Sequence, residues 1–204
     1  MYAGDIPTTP WKGVMSLPRE LSLIRRPNRD LRLSNYPISA LDSKFPKVVN
    51  IMAHTLPCDQ INEIINKEIG PQNVMIIDFK TTSNAGFNVS VLSTDPLSTI
   101  ELQDTRIGCY NEECFIDRSR SGNCDFNSHF CVPATMKIGA GLINVRIVVD
   151  VSVIELYICE EDYFCSSMTQ SVFSREDQKH FFFSDTPLPS TLHILDVKLP
   201  EEMS

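Results

Sequence analysis

The 204-residue chain has one tryptophan, 8 glycines and 4 histidines, and its 18 lysines and arginines are outnumbered by 26 aspartates and glutamates. A formal charge of −8 offers no electrostatic gain on approach to nucleic acid or anionic lipid. The one basic cluster, Arg25, Arg26, Arg29 and Arg32, is too short to reverse this. No uncharged apolar run approaches the roughly 18 residues that span a bilayer. Neither nucleic acid nor membrane is therefore expected as a partner. The opening residues, Met-Tyr-Ala-Gly-Asp-Ile-Pro, have neither the basic nor the apolar region of a secretory signal. Catalytic signatures are also missing. There is no Gly-x-Ser-x-Gly elbow, no glycine-rich phosphate loop, no His-Glu-x-x-His and no Cys-x-x-Cys, and His54, His129, His180 and His193 stand apart. No cofactor and no metal are expected.

What remains is ordinary globular material, 42% hydrophobic and 22% charged, with a hydropathy period of two. Ile143, Val145, Ile147 and Val149 alternate with Asn144, Arg146, Val148 and Asp150, as on a strand with one buried and one wetter face. Leu21 and Leu23, Leu31 and Leu33, and Phe87, Val89 and Val91 repeat the pattern. The stretches 74–79 and 154–158 are more continuously apolar, as in central strands. Turn residues at 26–29, 83–86 and 120–123 separate these segments. Past Pro187 and Pro189, residues 191–197 alternate like a final strand. Several short strands at this spacing predict an all-β, antiparallel sandwich or barrel. One helix is expected, with Ile61, Ile64, Ile65 and Ile69 on one face, Asp59 as cap and Gly70-Pro71 as stop. A shorter helical turn is expected over 38–41.

Seven cysteines, at 58, 109, 114, 124, 131, 159 and 165, leave at least one without an internal partner. Cys109 and Cys114 flank Tyr-Asn-Glu-Glu, and Cys159 and Cys165 flank Glu-Glu-Asp-Tyr-Phe. Either pair fits a disulfide across a hairpin, and equally fits small apolar residues packed on strands. The run Glu160-Glu161-Asp162 reads as a solvated hairpin tip. Trp11, beside Pro10, suits stacking on a sugar or burial against a strand.

Three segments carry a resemblance. Residues 2–23 read Tyr-Ala-Gly-Asp-Ile-Pro-Thr-Thr-Pro-Trp-Lys-Gly-Val-Met-Ser-Leu-Pro-Arg-Glu-Leu-Ser-Leu. Residues 115–126 read Phe-Ile-Asp-Arg-Ser-Arg-Ser-Gly-Asn-Cys-Asp-Phe, and residues 147–157 read Ile-Val-Val-Asp-Val-Ser-Val-Ile-Glu-Leu-Tyr. In this order they resemble glycoside hydrolase family 32, the invertases, inulinases and levanases. The first string is similar to the end of the family's five-bladed catalytic propeller, and the other two to its C-terminal β-sandwich.

The resemblance implies a two-sheet antiparallel β-sandwich with one short helix over residues 25–204, and a propeller-blade remnant and linker over 1–24. It implies a parent activity of retaining hydrolysis of sucrose or fructan, run by two carboxyl groups about 5–5.5 Å apart. Those carboxylates are expected upstream of Met1, so this chain is expected to be inactive alone. Arg29-Asp30 and Glu113-Cys114 echo fragments of the family's catalytic motifs, but their surroundings assign them elsewhere. Asp117, Arg118, Asp150 and Glu155 match the sandwich motifs and are expected to fix turns and strand ends. Val151 stands where many members carry arginine, and the helix stands where relatives have a strand edge. The implied partners are a catalytic propeller, in cis or in trans, a second copy of the chain, and a sucrose or fructan ligand. Tyr2 and Trp11 are the candidate carbohydrate contacts. The resemblance points to an extracellular or vacuolar setting, in which the sequon at Asn88 is a candidate for glycosylation.

Overall fold

The alternating residues fold into two facing sheets with the apolar set between them. The computed structural model describes residues 4–10, 12–25, 30–69, 74–95, 101–160, 164–183 and 192–200. Tyr2, Trp11, the turn at 26–29, the Gly70-Pro71 stop, Glu161-Asp162 and the prolines at 187 and 189 lie outside the described residues.

A two-stranded antiparallel hairpin comes first, β1 (Arg19–Arg25) with β2 (Leu31–Pro37). A 3-10 helix over Ser39–Lys44 follows, in place of the turn expected over 38–41. Then come β3 (Lys47–Ile51), α1 (Cys58–Glu68), β4 (Met75–Thr82), β5 (Phe87–Ser93), β6 (Asp104–Tyr110), β7 (Glu113–Arg120) and β8 (Ala134–Lys137). The series ends with β9 (Leu142–Val149), β10 (Val153–Glu160), β11 (Phe164–Ser171), β12 (His180–Phe183) and β13 (Leu195–Leu199). The six-stranded sheet has the order β11-β10-β9-β4-β13-β3, and the five-stranded sheet the order β12-β5-β6-β7-β8. All these pairings are antiparallel. Among the described residues the fold is an all-β sandwich with one α-helix. The hairpin runs across position 24/25, since β2 pairs with β1 and with neither sandwich sheet.

The core lies between the sheets. Ile143, Val145, Ile147 and Val149 of β9 face it with Met75, Ile77 and Phe79 of β4 and Ile154, Leu156 and Ile158 of β10. Val89, Val91, Ile107 and Ile116 answer from the other sheet. Each such side chain, fully buried, contributes about 1.5–3 kcal/mol. The turn after β4 carries the chain from one sheet to the other, and Phe79 meets Phe87 edge to face across it at 5.0 Å. The wetter face of the six-stranded sheet is largely covered as well. Ile76, Val148 and Tyr157 pack there with Phe45 in a second, smaller cluster. This double cover is why 74–79 and 154–158 read as continuously apolar.

Helix α1 starts after Pro57, with Asp59 inside its first turn and no side-chain cap. Asp59 is thus helical rather than capping, because the chain turns helical two residues earlier than the pattern suggests. Ile61 and Ile65 are buried, and Ile64 and Ile69 pack beside them. The helix also closes the free edge of β12. Asn66 donates from Nδ2 to Phe181 O and accepts from Phe181 N, both at 2.7 Å, and one turn earlier Asn62 Oδ1 accepts from Phe183 N at 2.9 Å. Two amides at i and i+4 therefore occupy groups that a bare edge would offer to another strand. Asn66→Ala should lower unfolding stability by about 1–3 kcal/mol and raise light scattering during refolding. An unchanged urea midpoint would show that this edge needs no cover.

Candidate functional site

The most connected polar site is the seat of the N-terminal segment on the outer face of β10 and β11. Along β10 the odd positions Glu155, Tyr157 and Cys159 face away from the core that buries Ile154, Leu156 and Ile158. Glu155 is 2% exposed, yet its carboxylate is fully engaged. Oε1 accepts from Leu17 N at 2.6 Å, and Oε2 accepts from Arg19 Nη2 at 2.6 Å, Tyr157 OH at 2.6 Å and Thr169 Oγ1 at 3.2 Å. Arg19 also donates to Ser167 Oγ at 2.8 Å and to Thr169 Oγ1, and lies 5.4 Å from the Tyr157 ring centroid. Burial works against the Arg19 charge, but Glu155 and Tyr157 outweigh it and hold the pKa above its ordinary value. Burial, and then the Glu155 carboxylate, raise that of Tyr157. The backbone of β11 joins in, because Cys165 N donates to Ser34 Oγ of β2 at 2.9 Å.

Beside this seat lies a charged cluster made by strand register. Arg146 of β9 pairs opposite Asp78 of β4, and its guanidinium grips that carboxylate with Nε at 2.7 Å and Nη2 at 2.8 Å. Lys198 of β13 reaches Asp78 at 2.9 Å and Asp42 at 3.0 Å, and Arg146 reaches Asp42 at 3.1 Å. Tyr36 of β2 covers the cluster, 5.2 Å from the Arg146 guanidinium and edge-on to Tyr157 at 5.7 Å. For Arg146, burial opposes the charge and Asp78 overcomes it, so the pKa is raised. For Asp42, burial would lift the carboxyl, but Lys198 and Arg146 hold it below its ordinary value. Between the hairpin and the sheet runs a groove of about 750 Å³ lined by Tyr36, Lys80, Asn144, Arg146, His193 and the Cys159–Cys165 bridge among others.

The other motif residues lie elsewhere. Asp117 of β7 accepts from Ser119 N at 2.9 Å and pairs with Arg106. Burial raises its carboxyl, but Ser119 and Arg106 bring it below its ordinary value. Arg118 donates to Phe130 O and Ser171 O, both at 2.7 Å, with its guanidinium 3.6 Å from the Phe130 ring centroid. Asp150 accepts from Val151 N at 2.7 Å in the turn between β9 and β10. Gly122 has φ +61°, and a Cβ there would meet Phe173 O at 2.5 Å, so this turn requires glycine. Disulfides join Cys109 to Cys114 and Cys159 to Cys165, each across a hairpin. Asn88 is half-buried within β5, and Ser90 of the same sequon is buried, donating to Asp104 Oδ2 at 2.6 Å. Asp30 and Glu113 are both exposed. Among the described residues no three His, Cys, Asp or Glu side chains gather as a metal site.

Sequence reasoning singled out Glu155 but missed Arg19, Asp42, Asp78, Arg146 and Lys198. For Asp78, Arg146 and Lys198 the available signal was a charge at a wetter-face position of an apolar strand; which charges meet depends on register, which periodicity does not supply.

Together, fold and site define a β-sandwich module that clamps a preceding segment on its six-stranded sheet. Residues 59–197 match the family model described as Glycosyl hydrolases family 32 C terminal, and the chain belongs to that family. It is 31% identical over 168 residues to a levanase of Bacillus subtilis (strain 168), covering 76% of this chain and 23% of the levanase. By structure it is similar to an exo-inulinase from Aspergillus awamori, with TM-score 0.70 and 16% identity over 98% of this chain and 38% of that one. A sucrose-6-phosphate hydrolase from Lactobacillus gasseri gives TM-score 0.61 at 16% identity, over 88% of this chain and 33% of that one. The chain therefore spans from 23% to 38% of the length of these relatives. The two structural likenesses bear on the fold alone.

Two outcomes are expected at the seat. Glu155→Ala strands the Arg19 guanidinium and the Leu17 N–H, costing about 2–4 kcal/mol and speeding proteolysis ahead of the sandwich; a protease pattern like that of wild type would show that the carboxylate does not hold the segment. For Asp42 the depressed folded-state pKa means that the unfolded chain binds its proton first as pH falls. Its contribution is complete above about pH 4 and lost as pH falls through the lower folded value. The stability gap between wild type and Asp42→Asn should therefore narrow between about pH 7 and about pH 3. A constant gap would mean that Asp42 acts through packing.

Proposed function

We propose that this chain is the supporting β-sandwich of a β-fructofuranosidase-type hydrolase, whose parent activity is retaining cleavage of sucrose or fructan links. In this reading it docks and stabilises a catalytic propeller and has no hydrolytic activity alone. The observation that carries the proposal is the joint at Glu155. It ties Leu17 and Arg19, from the string that resembles the propeller's last blade, to the strand pair that resembles the sandwich. The register also sets Leu21, Leu23, Leu31 and Leu33 on one face of the hairpin, where they are 65%, 65%, 50% and 58% exposed. Four leucines in water on a two-stranded sheet suit an incomplete blade that further strands would cover. On this reading the sandwich begins near residue 38, past the hairpin.

A second reading, a glycan-binding module, is favoured by the groove beside Tyr36, Asn144 and His193. Calorimetry with sucrose, inulin and levan separates the two: docking expects no heat, and saturable heat lost in Tyr36→Ala would establish the binding module. Purified 1–204 should release no fructose from the same substrates. Release abolished by Asp30→Asn or Glu113→Gln would reinstate those residues as catalytic groups and overturn the proposal.

A further inference from the structure

Beyond its two disulfides the chain keeps three thiols, Cys58, Cys124 and Cys131. Cys58 opens α1, whereas Cys124 and Cys131 share the long connection between β7 and β8. Cys124 is buried, and Cys131 is half-buried. Cys124 Sγ donates to Ser119 O at 3.2 Å, and Cys131 Sγ donates to Cys124 O, which brings the second thiol against the backbone of the first cysteine. The segment between them is already folded back on itself. Phe130 N donates to Asn127 O at 2.9 Å and His129 N to Asn127 Oδ1 at 3.0 Å. Phe130 packs on Phe126 and Phe173 at 4.6 and 5.4 Å beneath the Arg118 guanidinium. Most of the ordering entropy that closing such a loop normally costs is therefore already spent.

We propose that Cys124 and Cys131 form a third disulfide by exchange with a low-molecular-weight disulfide such as oxidised glutathione. Cys131, the more exposed thiol, attacks the external disulfide as its thiolate, forming a mixed disulfide and releasing one external thiol. Cys124 then attacks the Cys131 sulfur and releases the second. The two protein thiols give up two electrons and two protons, and the external disulfide takes them up as two thiols. Burial pushes the Cys124 thiol up to about 11, with Cys131 adding to the shift, so the second attack is the slower one. The closed loop carries Asn127, which donates to Asp5 Oδ2 at 3.2 Å on the N-terminal segment. The bond would thus lock the lip against which that segment rests, apart from the Glu155 seat.

The test equilibrates the full chain with oxidised and reduced glutathione, then denatures, alkylates and maps it by mass spectrometry. One alkylated thiol, at Cys58, and a linked Cys124–Cys131 peptide are expected, against the three thiols of the form with two bridges. Cys131→Ser should leave Cys58 and Cys124 both alkylated. Three alkylated thiols in the wild type, or Cys58 bridged to either residue, would overturn the assignment. Chymotryptic nicking between Phe126 and Phe130 should be about tenfold slower in the oxidised wild type than in Cys131→Ser; equal rates would overturn the locking role.

Discussion

The buried carboxylate of Glu155 is the constraint on which the rest of the arrangement turns. A charge at 2% exposure survives in a sheet only if its oxygens find hydrogen-bond donors and a counter-charge. Here the acceptors are filled by a backbone N–H, a guanidinium, a phenol and a threonine hydroxyl. One of those donors, Leu17 N, lies just before the hairpin and another, Arg19, opens it, so the sandwich satisfies its own buried charge only when that segment is in place. The dependence runs both ways. Arg19 has Glu155 as its counter-charge and β11 hydroxyls as further acceptors, and the β1–β2 hairpin that it opens has no core of its own. A two-stranded hairpin is marginal in water, and this one holds its place by leaning on the sheet.

The charged cluster under Tyr36 extends the same logic. Arg146, Asp78, Lys198 and Asp42 come from three strands and the 3-10 helix, and each charge has at least two opposite partners. Such a network is specific rather than strongly stabilising, since desolvation offsets much of the Coulomb gain. Its consequence is positional. With the outer face of the sheet neutralised and covered by Tyr36 and Phe45, the hairpin has one orientation in which aromatic rings and carboxylates all find partners. At the opposite sheet, α1 gives β12 a side-chain edge, so the sandwich ends without a free strand there.

Strand existence and core membership were legible because burial writes a period of two into any half-buried strand. Ile143 to Val149 and Phe87 to Val91 read as they fold. The motif strings, resting on rare combinations of residues, were enough to indicate the family. The helix was legible through its isoleucines, though its start was not, since Pro57 rather than Asp59 precedes the first turn. The final strand begins at Leu195, past the alternation that starts at 191, because pairing with β3 and β4 sets in only there.

What the amino-acid sequence determined alone was therefore local and compositional: all-β class, the position of most strands, the family and the acidic net charge. Tertiary structure decided the contacts that join distant segments. Arg19 meets Glu155 across 136 positions and Arg146 meets Asp78 across 68. These depend on register and on which sheet each strand enters. Side-chain periodicity is the same for every register that keeps the apolar face inward, so only the assembled sheets distinguish one set of polar partners from another.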